Sequence, residues 1–145
     1  MTTTNALTIE RTFRAGIERV FDAWTTEEVM RRWWRAEHNW GESEAHVDLR
    51  VGGEIRVVMH DPVKGAEYGG GGRYIEIDRP HRLAFTWLWD DDTRRTLIRI
   101  DFAEEQPGAT TVRFTHTDLC DEEAVRDHRR GWSNVLDALA LELEG

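Results

Sequence analysis

The sequence predicts an α+β fold: a curved antiparallel sheet of six to seven strands wrapped around a long C-terminal helix, with two short helices after the first strand. Three observations carry this. An alternating segment near the N-terminus gives way to helical periodicity, and six strand-like segments separated by turn clusters follow. The chain then ends on apolar positions Ala124, Val125, His128, Trp132, Val135, Leu136, Leu139, Ala140 and Leu143, the i, i+3, i+4 stripe of an amphipathic helix. A sheet with one apolar face must be covered, and only this last helix is long enough.

Leu7 to Phe13 alternates apolar and polar residues, the period of a half-buried strand. Ile17, Val20, Phe21 and Trp24 form a helical stripe. Thr25 and Glu28 have capping-box spacing, which predicts a second short helix carrying Val29, Met30, Trp33 and Trp34. Val47, Leu49 and Val51, a Gly52-Gly53 turn, then Ile55, Val57 and Met59 read as a hairpin. Strands follow at Tyr74 to Ile77, Leu83 to Trp89, Leu97 to Phe102 and Val112 to His116. Turns are expected at Asp61-Pro62, Gly69 to Gly72, Arg79-Pro80, Asp90 to Asp92 and Gln106 to Gly108. The final helix, Glu122 to Leu143, would be about 33 Å long. Asp121 or Asp118 is placed to cap it.

At 145 residues the chain has the size of one domain, residues 1–145. The net charge of −9 opposes nucleic-acid binding, which is driven by Lys and Arg neutralising phosphates. Val135 to Leu143 is interrupted by Asp137 and Glu142 and falls short of the roughly 20 apolar residues of a membrane span. Met1 to Asn5 lacks the basic and apolar regions of a secretory signal, so a cytoplasmic location is expected. The single cysteine, Cys120, agrees with a reducing compartment. Six histidines show no metal-ligand spacing, Gly69 to Gly72 lacks the Lys-Ser/Thr ending of a phosphate loop, and neither serine lies in a nucleophile elbow. No metal, cofactor or catalytic residue is therefore expected.

Phe21-Asp22-Ala23-Trp24-Thr25, Arg32-Trp33-Trp34, Asp48 to Gly53, Met59, Gly72 to Ile77, Arg79 to Trp87 and Gly131-Trp132 occur in one characteristic order. Together they resemble the stand-alone bacterial relatives of the heat-shock protein 90 ATPase activator domain, within the START-like (SRPBCC, helix-grip, birch-pollen-allergen fold) superfamily. The resemblance covers about Leu7 to Leu143. One departure is Ala15-Gly16, where relatives often carry proline. The resemblance implies a ligand cavity between sheet and C-terminal helix, in a superfamily that binds apolar molecules. It also leaves open a chaperone partner, a homodimer, or a polyketide cyclase or isomerase-like activity.

If the alternation holds, Ile55, Val57 and Met59, Leu83 to Trp89, Ile98 to Phe102 and Val112 to His116 send alternate side chains towards the helix, and the central ones fill a dry core. Trp33, Trp34, Met59, Trp87, Trp89 and Trp132 supply the large, rigid walls a pocket for a small apolar or aromatic molecule uses. Gly131 costs about 1 kcal/mol mid-helix relative to alanine. It either admits a ligand to the helix backbone or relieves crowding against a strand. His116, His128 and Tyr74 are the candidate polar contacts, with Tyr74 and Glu76 on one face of their strand. Glu76 with His116 is the one acid/base pair to test by geometry.

Overall fold

The computed structural model describes residues 5–145. Met1 to Thr4, read above for a targeting signal, lie outside them. The elements are β1 (Asn5–Phe13), α1 (Ile17–Thr25), α2 (Glu27–Trp33), β2 (Glu44–Val47), β3 (Glu54–Asp61), β4 (Ala66–Asp78), β5 (Arg82–Trp89), β6 (Thr96–Gln106), β7 (Ala109–Leu119) and α3 (Glu122–Glu144). The seven strands make one antiparallel sheet in the order β1-β7-β6-β5-β4-β3-β2. Strands β2 to β7 follow one another as a meander, and β1 pairs back onto β7. This is the predicted α+β architecture with α3 as the long closing helix.

The alternation read from the sequence sets the inner face. Ile55, Val57 and Met59, Leu83, Phe85 and Trp87, Ile98, Ile100 and Phe102, and Val112, Phe114 and His116 are all buried. They pack against Trp132, Val135, Leu136, Leu139 and Leu143 of α3. Asp121 caps that helix by accepting a hydrogen bond from the Ala124 amide at 2.7 Å, and Glu122 and Glu123 lie at the positive end of its dipole. Its C-terminal end is fastened by the Arg32–Glu142 pair at 2.9 Å and by Arg19, which donates to the Leu143 carbonyl at 2.7 Å. Arg11 pairs with Asp137 in between.

Four local expectations are corrected. Leu49 and Val51 are exposed, and β2 has already ended at Val47; their alternation has no partner strand to pair with. Thr25 ends α1 and donates to the Phe21 carbonyl, so it caps nothing, and Thr26 occupies the N-cap position of α2 without a side-chain bond. Gly69 to Gly72 is no turn: it is the middle of the 13-residue strand β4, paired with β3 and β5. A β-bulge between Tyr74 and Glu76 reverses the parity, burying Tyr74 while Glu76 pairs with Arg82 and Arg99 on the outside of the sheet.

The glycine tract has a physical reason. A Cβ on Gly70 would lie 2.7 Å from the Trp87 indole, and one on Gly72 would overlap the Thr86 carbonyl of β5. On the other side, a Cβ on Gly71 would overlap the Ile55 carbonyl of β3. The strand is bare so that Trp87 can pack on its backbone at Gly70 while β3 and β5 close on Gly71 and Gly72.

Candidate functional site

The helix grips the sheet with only part of its length. No α3 residue before Trp132 is buried, although Ala124 and Val125 are partly covered. Before Trp132, α3 meets the sheet through polar bridges, from Arg129 to the Thr8 carbonyl at 3.1 Å and from the Trp89 indole to His128 at 3.0 Å, and a groove of about 870 Å³ opens beside them. Its other walls are the α2–β2 loop with Ala36, Glu37 and Trp40, the β3 and β4 positions Met59, Tyr68 and Gly69, and the end of β5 at Trp89. This volume lies within the range of small-molecule sites, about 300–1,000 Å³.

Five of the seven tryptophans explain why the rest of the interior is closed. Trp34 stacks on Trp33 at 5.4 Å and on Trp87 at 5.7 Å between ring centroids, and meets Trp24 and Trp132 edge-on at 5.6 Å. Each such pair contributes about 0.5–1.5 kcal/mol beyond the area it buries. Trp33 also donates to the Ala23 carbonyl at 3.0 Å, fixing the α1–α2 corner. The centre of the sheet–helix space is therefore filled by indole, and the opening lies at one end.

Of the residues the sequence singled out, Trp34, Met59, Trp89, His128, Gly131 and Trp132 are brought together around the groove. Trp33, Tyr74, Trp87 and His116 stand behind that wall, fully or almost fully buried. Burial pushes the Tyr74 phenol up, and its hydroxyl has no partner among the described residues. The lining that sequence reasoning missed is Trp40, Tyr68 and the charged rim. Trp40 lies in an irregular segment and Tyr68 beside a presumed turn, so neither had a periodicity to place it; in the structure their rings stack at 5.2 Å and 9°.

Two histidines are wired in place. The Thr96 hydroxyl donates to the Trp87 carbonyl at 2.9 Å, so it accepts from His116 Nε2 at 2.7 Å; His116 Nδ1 then accepts the Trp132 indole N–H at 3.0 Å. This is a neutral imidazole with both nitrogens used. Desolvation by burial, followed by the neighbouring His128, brings its pKa down to about 3. His128 Nδ1 donates to the Ala124 carbonyl at 2.8 Å, and its Nε2 accepts the Trp89 indole N–H at 3.0 Å, joining α3 to the end of β5 across the groove. The acid/base pair of Glu76 with His116 does not form. Glu76 faces outward onto two arginines, and His116 faces the core. Among the described residues no cluster of metal-ligating side chains occurs.

Gly131 is not relieving a clash with a strand. A Cβ there would find only the Ala36 Cβ, at 3.9 Å. The glycine leaves helix backbone facing the groove and the α2–β2 loop, which Asn134 holds by donating to the Ala36 carbonyl at 2.9 Å. Gly131→Ala is accordingly expected to stabilise the protein by about 1 kcal/mol in urea denaturation. A loss of stability would show that this space is needed by the fold itself.

A sheet closed by a C-terminal helix, with two short helices after the first strand and a groove at one end of the grip, is the START-like (SRPBCC) architecture, a class of ligand-binding and interaction modules. Within that class the chain belongs to the family described as "Activator of Hsp90 ATPase homolog 1-like protein", whose model matches residues 14–144. Among solved structures it is similar to the AHSA1 protein of Silicibacter pomeroyi, with 26% identity over 97% of this chain and 98% of that one and a TM-score of 0.81. The AHSA1-like protein of Aeromonas hydrophila gives 27% identity over 97% of this chain and 92% of that one, TM-score 0.80. A Chromobacterium violaceum protein shares the fold at 23% identity and a TM-score of 0.86, covering 97% of this chain and 99% of that one. No curated protein sequence matches.

Proposed function

We propose that this chain is a cytoplasmic binding protein for a small aromatic or apolar molecule, seated in the groove under the N-terminal half of α3. The observation that carries the reading is a groove of about 870 Å³ lined by Trp34, Trp40, Met59, Tyr68 and Trp89 on one side and by Gly131 and Trp132 of α3 on the other. Trp40, Tyr68 and Trp89 supply accessible ring area, and the half-buried Trp89 a sensor. Both histidines are committed to holding the walls, which favours binding over catalysis.

A library of aromatic and apolar compounds, screened by tryptophan fluorescence and melting temperature, tests this. A true occupant at a hundredfold excess over its Kd stabilises the folded state by about 2.7 kcal/mol. Gly131→Phe, whose ring would enter the groove, should abolish that shift while leaving the far-ultraviolet circular dichroism unchanged. Ligand-induced stabilisation that survives in Gly131→Phe would place the binding elsewhere and end the proposal.

A further inference from the structure

The rim of the groove is charged, and the charge is one-sided. Glu37, Glu44, Glu67, Asp90, Asp91 and Asp127 face it, against Arg56 and Arg130. Each guanidinium already has a carboxylate partner. Arg56 forms a two-pronged pair with Asp90 at 2.7 and 2.8 Å, holding that carboxylate below its usual range, and Arg130 meets Glu37 at 3.7 Å. Glu44 and Glu67 both approach His60, at 2.9 and 3.6 Å. Asp91 and Asp127 have no ion pair or side-chain hydrogen bond among the described residues.

These two lie on the same wall. The Trp89–His128 hydrogen bond clamps the end of β5 to α3, and Asp91 follows Trp89 by two residues while Asp127 directly precedes His128. On the helix, Asp127, Gly131 and Val135 fall at i, i+4 and i+8, so the carboxylate is in line with the bare backbone and the apolar floor. Aromatic faces attract cations through their quadrupole, Trp40, Tyr68 and Trp89 keep ring surface in the groove, and this rim offers an anion no unpaired arginine or lysine.

We infer that the groove selects an organic cation: an aromatic or apolar body carrying an amine, with the body against Trp40, Tyr68 and Trp89 and the ammonium between Asp91 and Asp127. The inference rests on the binding reading above and names its ligand class.

A matched set of probes separates the two: 2-(1-naphthyl)ethylamine as cation, 2-(1-naphthyl)ethanol as neutral body and 1-naphthylacetate as anion, titrated calorimetrically at low salt. The amine should bind about tenfold more tightly than the alcohol, and the acetate most weakly. In the double variant Asp91→Asn, Asp127→Asn, which changes two exposed side chains, the amine should fall to the level of the alcohol while the alcohol is unaffected. Addition of 0.5 M salt should narrow the same gap. An alcohol that binds as well as the amine overturns the charge selectivity and leaves the groove standing. Amine binding that persists in Gly131→Phe reduces the effect to adsorption on an acidic surface and overturns it too. Absence of binding by all three overturns both.

Discussion

Gly70→Ala is expected to cost about 3 kcal/mol and, for a chain of this size, to lower the melting temperature by about 10 °C. The added methyl would meet the Trp87 ring at 2.7 Å, and Trp87 has nowhere to go. It is stacked on Trp34, edge-on to Phe85, Trp89 and Trp132, and has no exposed surface. Moving it would displace the back of the groove wall, so the loss of stability should come with a shift in tryptophan emission. Gly65→Ala is the control for flexibility alone: it strains a turn residue with φ of 65° but meets no atom within 4 Å. Equal losses at the two positions would mean that close approach of Trp87 is not what the tract provides.

Acid should unfold this protein partly through His116. Its pKa is about 3 folded against 6.5 for the free side chain, so the unfolded chain binds a proton that the native chain refuses. The neutral imidazole costs nothing above pH 6.5. Below that, stability falls with pH until about pH 3, and by pH 4.5 this group alone has removed about 2–3 kcal/mol. His116→Phe cannot titrate, and it leaves the Thr96 hydroxyl and the Trp132 indole without their partner. The variant should be less stable than the parent at pH 7, and the gap should narrow by about 2–3 kcal/mol at pH 4.5 in urea denaturation. A constant gap across that range would show that His116 charges as readily folded as unfolded.

The parts of this molecule legible from residue order are those whose cause is local or periodic. Nine apolar positions at helical spacing place α3, and Asp121 caps it, because a helix's buried stripe and its first turn are written within a few residues. Inward alternation of β3, β5, β6 and β7 was equally readable. Gly69 to Gly72 was not, because glycine signals a turn locally, while its function here is set by Trp87, Thr86 and Ile55 on neighbouring strands. Leu49 and Val51 alternate like a strand without a partner to pair with. The bulge after Tyr74 inserts one residue and moves Glu76 to the opposite face, a change invisible to a count of parity. Half of the groove was legible as bulk near element ends. Its position was not, since it depends on where along α3 the buried side chains begin and on a loop that brings Trp40 onto Tyr68.

The indole cluster that fills the grip also makes it an optical antenna. Trp24, Trp33, Trp34, Trp87, Trp89 and Trp132 form one connected set, each within 6.4 Å of a neighbour between ring centroids. At such separations excitation hops from ring to ring many times before it is emitted. A photon absorbed deep in the core can therefore arrive at Trp89, the half-buried member beside the groove. A molecule that quenches that ring would therefore dim the connected set as well as Trp89 itself, so occupancy at one end of the fold is felt through its interior.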